Sequence, residues 1–103
     1  MPRLCCLRRV GGQPPSGLFK PAGIPTTELE LVEMTLDELE ALRLVDHEGL
    51  QQDAAGDRMG VSRQTLGRIL GAARRKVAGA LVQGRALRIE GGPVQPGRRR
   101  KTA

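Results

Sequence analysis

The sequence predicts an all-α fold built on a three-helix helix-turn-helix core. Three observations predict it. Apolar residues recur at helical spacing through the middle of the chain. Serine, threonine and glycine stand where helices must start and stop. Two short helical patterns, at about Gln51 to Leu70, are joined by a tight turn that contains Gly60.

The first helix opens at Thr35-Leu36-Asp37-Glu38. This reads as a capping box, with the Thr35 hydroxyl taking an orphan backbone N–H and Glu38 reaching back to the Thr35 N–H. Leu36, Leu39, Leu42 and Val45 then share one face, and Gly49 stops the helix. The second helix covers Gln51–Met59 and ends at Gly60. The third starts behind the cap Ser62 and ends near Gly84. It should bury Leu66, Ile69, Leu70, Ala73, Val77 and Leu81 along one stripe. Ala55 and Gly56 give the small face needed where two helices cross over a short turn.

The flanks read differently. Residues 1–27 are rich in Pro and Gly and are expected to be an irregular basic arm. Residues 28–92 form the predicted domain, and 93–103, with Arg98-Arg99-Arg100-Lys101, a disordered basic tail. Residues 28–34 carry a weak strand signal. They could pair with the short alternating segment 86–90, bringing the two ends of the domain together.

Charge narrows the function. The 103 residues carry a formal net charge of +6, and an excess of that size favours a polyanion. It is unevenly placed. Residues 28–57 hold ten acidic groups and only Arg43 as a base, whereas residues 58–103 hold twelve basic groups and only Glu90 as an acid. No apolar run approaches the roughly 20 residues of a membrane span. The N-terminus has no signal-peptide pattern, so a cytoplasmic location is expected. Phe19 is the only aromatic residue, which argues against base stacking on aromatic platforms.

Opposite the apolar stripe of the third helix lie Gln64, Arg68, Gly71 and Arg75, flanked by Arg63, Gly67 and Arg74 on one side and by Thr65 and Lys76 on the other. Groove-reading helices use their N-terminal residues on base edges. Arg63, Gln64 and Arg68 are therefore the candidate base readers, Arg forking onto guanine and Gln onto adenine. Ser62, Thr65, Gly67, Arg74, Arg75 and Lys76 are the candidate contacts to the DNA backbone. No catalytic grouping, cofactor motif or metal site is expected. Cys5 and Cys6 are adjacent, without the spacing of zinc ligands, and His47 is the only histidine. The acidic side of the first helix reads as solvated surface.

The stretch Leu39-Glu40-Ala41-Leu42-Arg43-Leu44, with Glu48-Gly49-Leu50, Ala55 and Met59-Gly60-Val61-Ser62-Arg63, resembles the fourth region of sigma-70-type factors. Nearly the whole chain, from Met1 to Gly92, resembles an uncharacterised prokaryotic family of small predicted DNA-binding proteins. The matching blocks include Arg8-Arg9-Val10, Phe19-Lys20-Pro21-Ala22-Gly23, Leu36 to Leu44, Arg58 to Thr65, Gly67-Arg68-Ile69-Leu70, Ala73 to Val77 and Ala86 to Gly92. The family pattern has a Cys where Leu7 stands and an Ala where Gly56 stands.

The turn motif and the basic third helix point to sequence-specific binding of double-stranded DNA, with transcription regulation as the expected role; the resemblance adds fold and class. Two other readings compete. One is a protein-interaction module of the sigma type that docks on RNA polymerase or another protein through the acidic first helix. The other is RNA binding through the arms. A homodimer is expected, formed through the end of the third helix and the segment 86–90, because one helix-turn-helix has a small footprint. An enzyme is the least supported reading.

Overall fold

A computed structural model describes residues 7–12, 14 and 16–92, and the backbone of 94–96. The strands are β1 (Arg8–Val10), β2 (Leu18–Phe19), β3 (Leu31–Met34), β4 (Ala86–Ile89) and β5 (Val94–Pro96). The helices are α1 (Leu36–Ala41), α2 (Gln52–Met59) and α3 (Arg63–Gln83). The fold is mixed α/β, so the all-α expectation is overturned. A three-stranded sheet runs in the order β2-β4-β3, and β1 pairs with β5 in a separate parallel pair.

The helical part matches its capping chemistry. The Thr35 N–H donates to Glu38 Oε1 at 3.0 Å in the capping box that opens α1, and the Thr35 hydroxyl also donates to Asp37. From Leu42 to His47 the helix widens into a π-helix, with Glu48 N–H reaching Arg43 O at 2.8 Å, and Gly49 ends it at φ 81°. Gly60 closes α2 in the left-handed region at φ 74°. Ser62 caps α3, its hydroxyl oxygen accepting from Thr65 N–H at 3.0 Å, and Gly84 ends α3.

All three helices lie on the connection from β3 to β4. These strands are parallel, with Leu31 opposite Ala86 and Met34 opposite Ile89, and a parallel pair needs a long crossover. The helix-turn-helix is that crossover. Two apolar clusters hold it. Ala41, Leu44, Ala55, Met59, Leu66, Ile69 and Leu70 join the three helices. Val10, Met34, Leu36, Ala73 and Ile89 join α3 and α1 to the strands.

Three expectations about the flanks change. Segment 1–27 is not wholly irregular. Arg8–Val10 and Leu18–Phe19 are strands, because the prolines that argued against strand structure lie outside both. Val94–Pro96, expected in a disordered tail, runs beside β1, and 97–103 lie outside the described residues. Finally, Leu81 is not buried. The last turns of α3 pack through Ala80, which is buried, leaving Leu81 78% exposed, while Val77 is half-buried.

Candidate nucleic-acid interface

The site begins with the turn between α2 and α3. Val61 N–H donates to Gly56 O at 2.9 Å, and a Cβ on Gly56 would stand 2.9 Å from Val61 O. Glycine therefore lets the end of α2 pass against the start of α3. The close approach adds a packing reason for Gly56 to its cost in helix propensity, about 1 kcal/mol relative to Ala. Met59 and Leu66, both fully buried, close the turn from inside.

The N-terminal half of α3 is bare on its outer side. Arg63, Gln64 and Arg68 are exposed, and among the described residues no ion pair holds either arginine. Arg68 Nη2 makes only a long contact, 3.4 Å, to Thr65 Oγ1. Ser62 commits its hydroxyl to the cap, donating to Thr65 Oγ1 at 3.0 Å as it accepts the Thr65 N–H. Thr65 is half-buried, and both hydroxyls and the Thr65 N–H are engaged in the cap, so the first-turn N–H groups of Arg63 and Gln64 are better placed for an anion.

The remaining backbone-contact candidates divide. Gly67 is half-buried, and a Cβ there would meet Gln52 Oε1 at 3.5 Å, so the N-terminus of α2 stands beside it. Arg75 is exposed beside a cleft of about 260 Å³ that Lys76 and Arg85 also line. Arg74 and Lys76 are drawn back to the first helix. Arg74 forks onto Asp46 at 2.7 and 3.0 Å, and Lys76 Nζ donates to Glu38 Oε1 at 2.8 Å. The hydrogen bond from Arg74 holds the Asp46 carboxyl below its usual range and raises the Arg74 guanidinium above its own.

The acidic first helix is thus not simply solvated surface. Asp37 and Glu40 are buried, with Arg8 Nε 3.7 Å from Asp37 Oδ2 and Arg43 forked onto Glu40 at 2.7 and 2.9 Å. Arg43 also pairs with Glu48. The hydrogen bond to Glu40 is the main reason the Arg43 guanidinium is held above its ordinary range.

Two site-forming residues do not stand out in the sequence. Gln52 presents its amide beside α3. Arg9 reaches from β1 to the C-terminal end of α2, donating from Nη2 to Asp57 O at 2.9 Å and from Nε to Arg58 O at 3.1 Å. The Arg8-Arg9 pair is visible, but nothing local ties it to carbonyls 48 and 49 positions away. Cys5 and Cys6 lie outside the described residues. Among those described, no helix is long and apolar enough to cross a membrane.

The family model described as "Protein of unknown function DUF134" matches residues 1–96, and the chain belongs to that family. Relatives named "UPF0251 protein" come from several prokaryotes. The one from Syntrophobacter fumaroxidans is 54% identical over 92 residues, 89% of this chain and 59% of the relative. The one from Moorella thermoacetica is 55% identical over 92 residues, covering 89% of this chain and 62% of the relative. In Methanosarcina acetivorans the match is 52% over 87 residues, 84% and 78% of the two chains. This chain therefore spans about six-tenths of the length of the first two relatives. No solved structure matches it.

Proposed function

We propose that this member of the family binds double-stranded DNA with sequence preference and regulates transcription in the cytoplasm. The N-terminal half of α3 lies in the major groove. One observation carries the reading: Arg63, Gln64 and Arg68 stand exposed on the first two turns of a capped helix, with no carboxylate among the described residues holding either arginine. A solvated surface helix of ordinary kind mixes charge signs. α3 has five cations and no acid.

Roles follow from chemistry. The arginines fork onto guanine O6 and N7, and the Gln64 amide pairs with adenine N6 and N7. Each good pair is worth about 1–3 kcal/mol of discrimination. The first-turn N–H groups and Arg75 take phosphates. Arg74 and Lys76 reach phosphate only by leaving their carboxylate partners. The competing reading, docking on RNA polymerase through an acidic first helix, is less well supported. Asp37, Glu38, Glu40 and Asp46 are each engaged by a cation of the same chain.

The test is a salt-titrated binding assay, with duplexes selected from random or genomic DNA. Changing Arg63 and Arg68 together to Ala should remove preference between selected and scrambled duplexes more than it lowers total affinity. A steep salt dependence with no sequence preference in the parent protein would reduce the reading to nonspecific binding. No duplex binding at low salt would end it.

A further inference from the structure

The C-terminal half of α3 carries a surface that the DNA reading does not use. Leu81 and Val82 are 78% and 82% exposed. With exposed Ala78 they form an apolar ridge at i, i+3 and i+4, the spacing of a helix face that packs against another helix. Beside it Phe19, 51% exposed, shares a cleft of about 340 Å³ with Leu81, Pro21 and Leu87. Lys20 and Arg85 also line it, with their charged ends engaged by Ile24 O at 2.7 Å and by Glu30 at 2.7 Å. No charged residue occurs between Val77 and Gly84.

We infer that a second copy of this chain docks here, ridge to ridge about a twofold axis, with Leu81 of each copy entering the cleft beside Phe19 of the other. A twofold contact requires one patch to be self-complementary, and this patch offers both a knob and a hole. The segment 86–90, expected to share the interface, is excluded as a pairing edge. β4 is the central strand and is paired on both sides.

Area and charge set how firm the contact is. The three exposed side chains free on the order of 400 Å² of apolar surface, about half of the ~800 Å² per partner of a standard interface. Two copies of net charge +6 also repel. Free copies therefore associate weakly, at high protein concentration and with their charge screened. Duplex DNA supplies the missing free energy by neutralising the cations and holding two copies at high effective concentration.

The reach of α3 fits such an assembly. From Gln64 to Leu81 the helix rises about 26 Å, so two arms meeting at Leu81 span up to about 50 Å. The half-site spacing of one DNA turn, about 34–36 Å, lies within that span when the arms are bent toward each other. The docking contact is independent of the DNA reading, and only its coupling to half-sites rests on it.

Sedimentation equilibrium of the full chain decides the contact. In about 0.5 M salt the Debye length falls to about 4 Å, and protein is taken from about 10 µM to 1 mM. The parent should self-associate. The double variant Leu81→Gln/Val82→Gln, at exposed sites and with a good helix former, should weaken association at least tenfold with an unchanged melting temperature. Should that variant not fold, Ala78→Arg places a charge on the same ridge and must give the same loss. A parent that stays monomeric throughout, or variants that associate equally well, would overturn the contact. Duplex selection judges the coupling separately. Inverted repeats with centres about 10 base pairs apart support it, and a single unrepeated motif overturns it while leaving DNA binding intact. Recovery of no motif at all is the failure of the DNA reading, and sedimentation still decides whether the second copy docks.

Discussion

Arg9 should stabilise the turn that presents α3, although it lies outside the helices. Its guanidinium donates to two carbonyls in the last turn of α2, Asp57 O at 2.9 Å and Arg58 O at 3.1 Å. Helix ends leave such carbonyls without intrahelical partners, and a cation there also meets the negative end of the helix dipole. Both bonds are exposed, so each is taken at the low end, about 0.5–1 kcal/mol, with a few tenths more from the dipole. Arg9→Met should then cost about 1–2 kcal/mol. For a domain of this size that lowers the melting temperature by roughly 5–12 °C.

Arg9→Lys keeps the charge but not the fork, and should recover about half of the loss. The same guanidinium packs over Gly60, where a Cβ would stand 2.9 Å from Arg9 Nη1. Gly60→Ala, strained already by its φ of 74°, should therefore cost less in an Arg9→Met background than in the parent, a coupling that a double-mutant cycle reads directly. Circular-dichroism melts of the four proteins suffice. An Arg9→Met protein that melts with the parent, or two effects that simply add, would refute the clamp.

Leu66, fully buried between α2 and α3, should cost about 3–5 kcal/mol as Leu66→Ala. Urea titration checks this, and a cost under about 1 kcal/mol would mean the turn has no packed interior. Asp46→Asn should release Arg74 for phosphate, making the slope of log affinity against log salt steeper by about 0.9. An unchanged slope would show that Arg74 never reaches DNA. The Asp46 carboxyl is depressed in the folded protein, so its contribution is present above the ordinary aspartate value of 3.8 and fades as pH falls through the lower folded value. The pair is exposed, so the contribution is small. Melts of parent and Asp46→Asn should differ slightly at neutral pH and converge in acid, whereas a gap that widens in acid would contradict the assignment.

The helices were legible because their signals are local. Thr35 with Glu38, Ser62 ahead of Leu66, and Gly60 and Gly84 at the ends are cap chemistry written within four residues of its effect. The sheet was legible only in part. The weak strand signal of 28–34 and the alternation of 86–90 pointed to the pair that β3 and β4 form, but β2 on the other side of β4 is two residues long, and alternation cannot be recognised over so few positions. The first helix shows a subtler failure. Helical spacing picked Leu36, Leu39, Leu42 and Val45, yet Ala41 and Leu44 are the fully buried members. From Leu42 the turn widens, and a 3.6-residue wheel does not describe it. The site candidates were legible as a helix face, but their availability was not. Arg74 and Lys76 share that face with Arg68 in sequence, and only the fold brings Asp46 and Glu38 against them.

That partition of cations bears on orientation more than the net charge does. Of the five on α3, the two nearest its N-terminus meet no carboxylate among the described residues, whereas Arg74 and Lys76 lie against carboxylates of the first helix and its π-helical extension. The dipole of a helix about 31 Å long adds partial positive charge at the same N-terminal end. A polyanion approaching the chain therefore meets unneutralised charge at the first turns of α3. Farther along it meets Arg75 and, on either side of it in sequence, the ion pairs of Arg74 and Lys76, which must be broken before they attract. Steering and readout then act at one end of the helix, and the apolar ridge of Leu81 and Val82 is left at the other, on a stretch of α3 that carries no charged residue after Lys76.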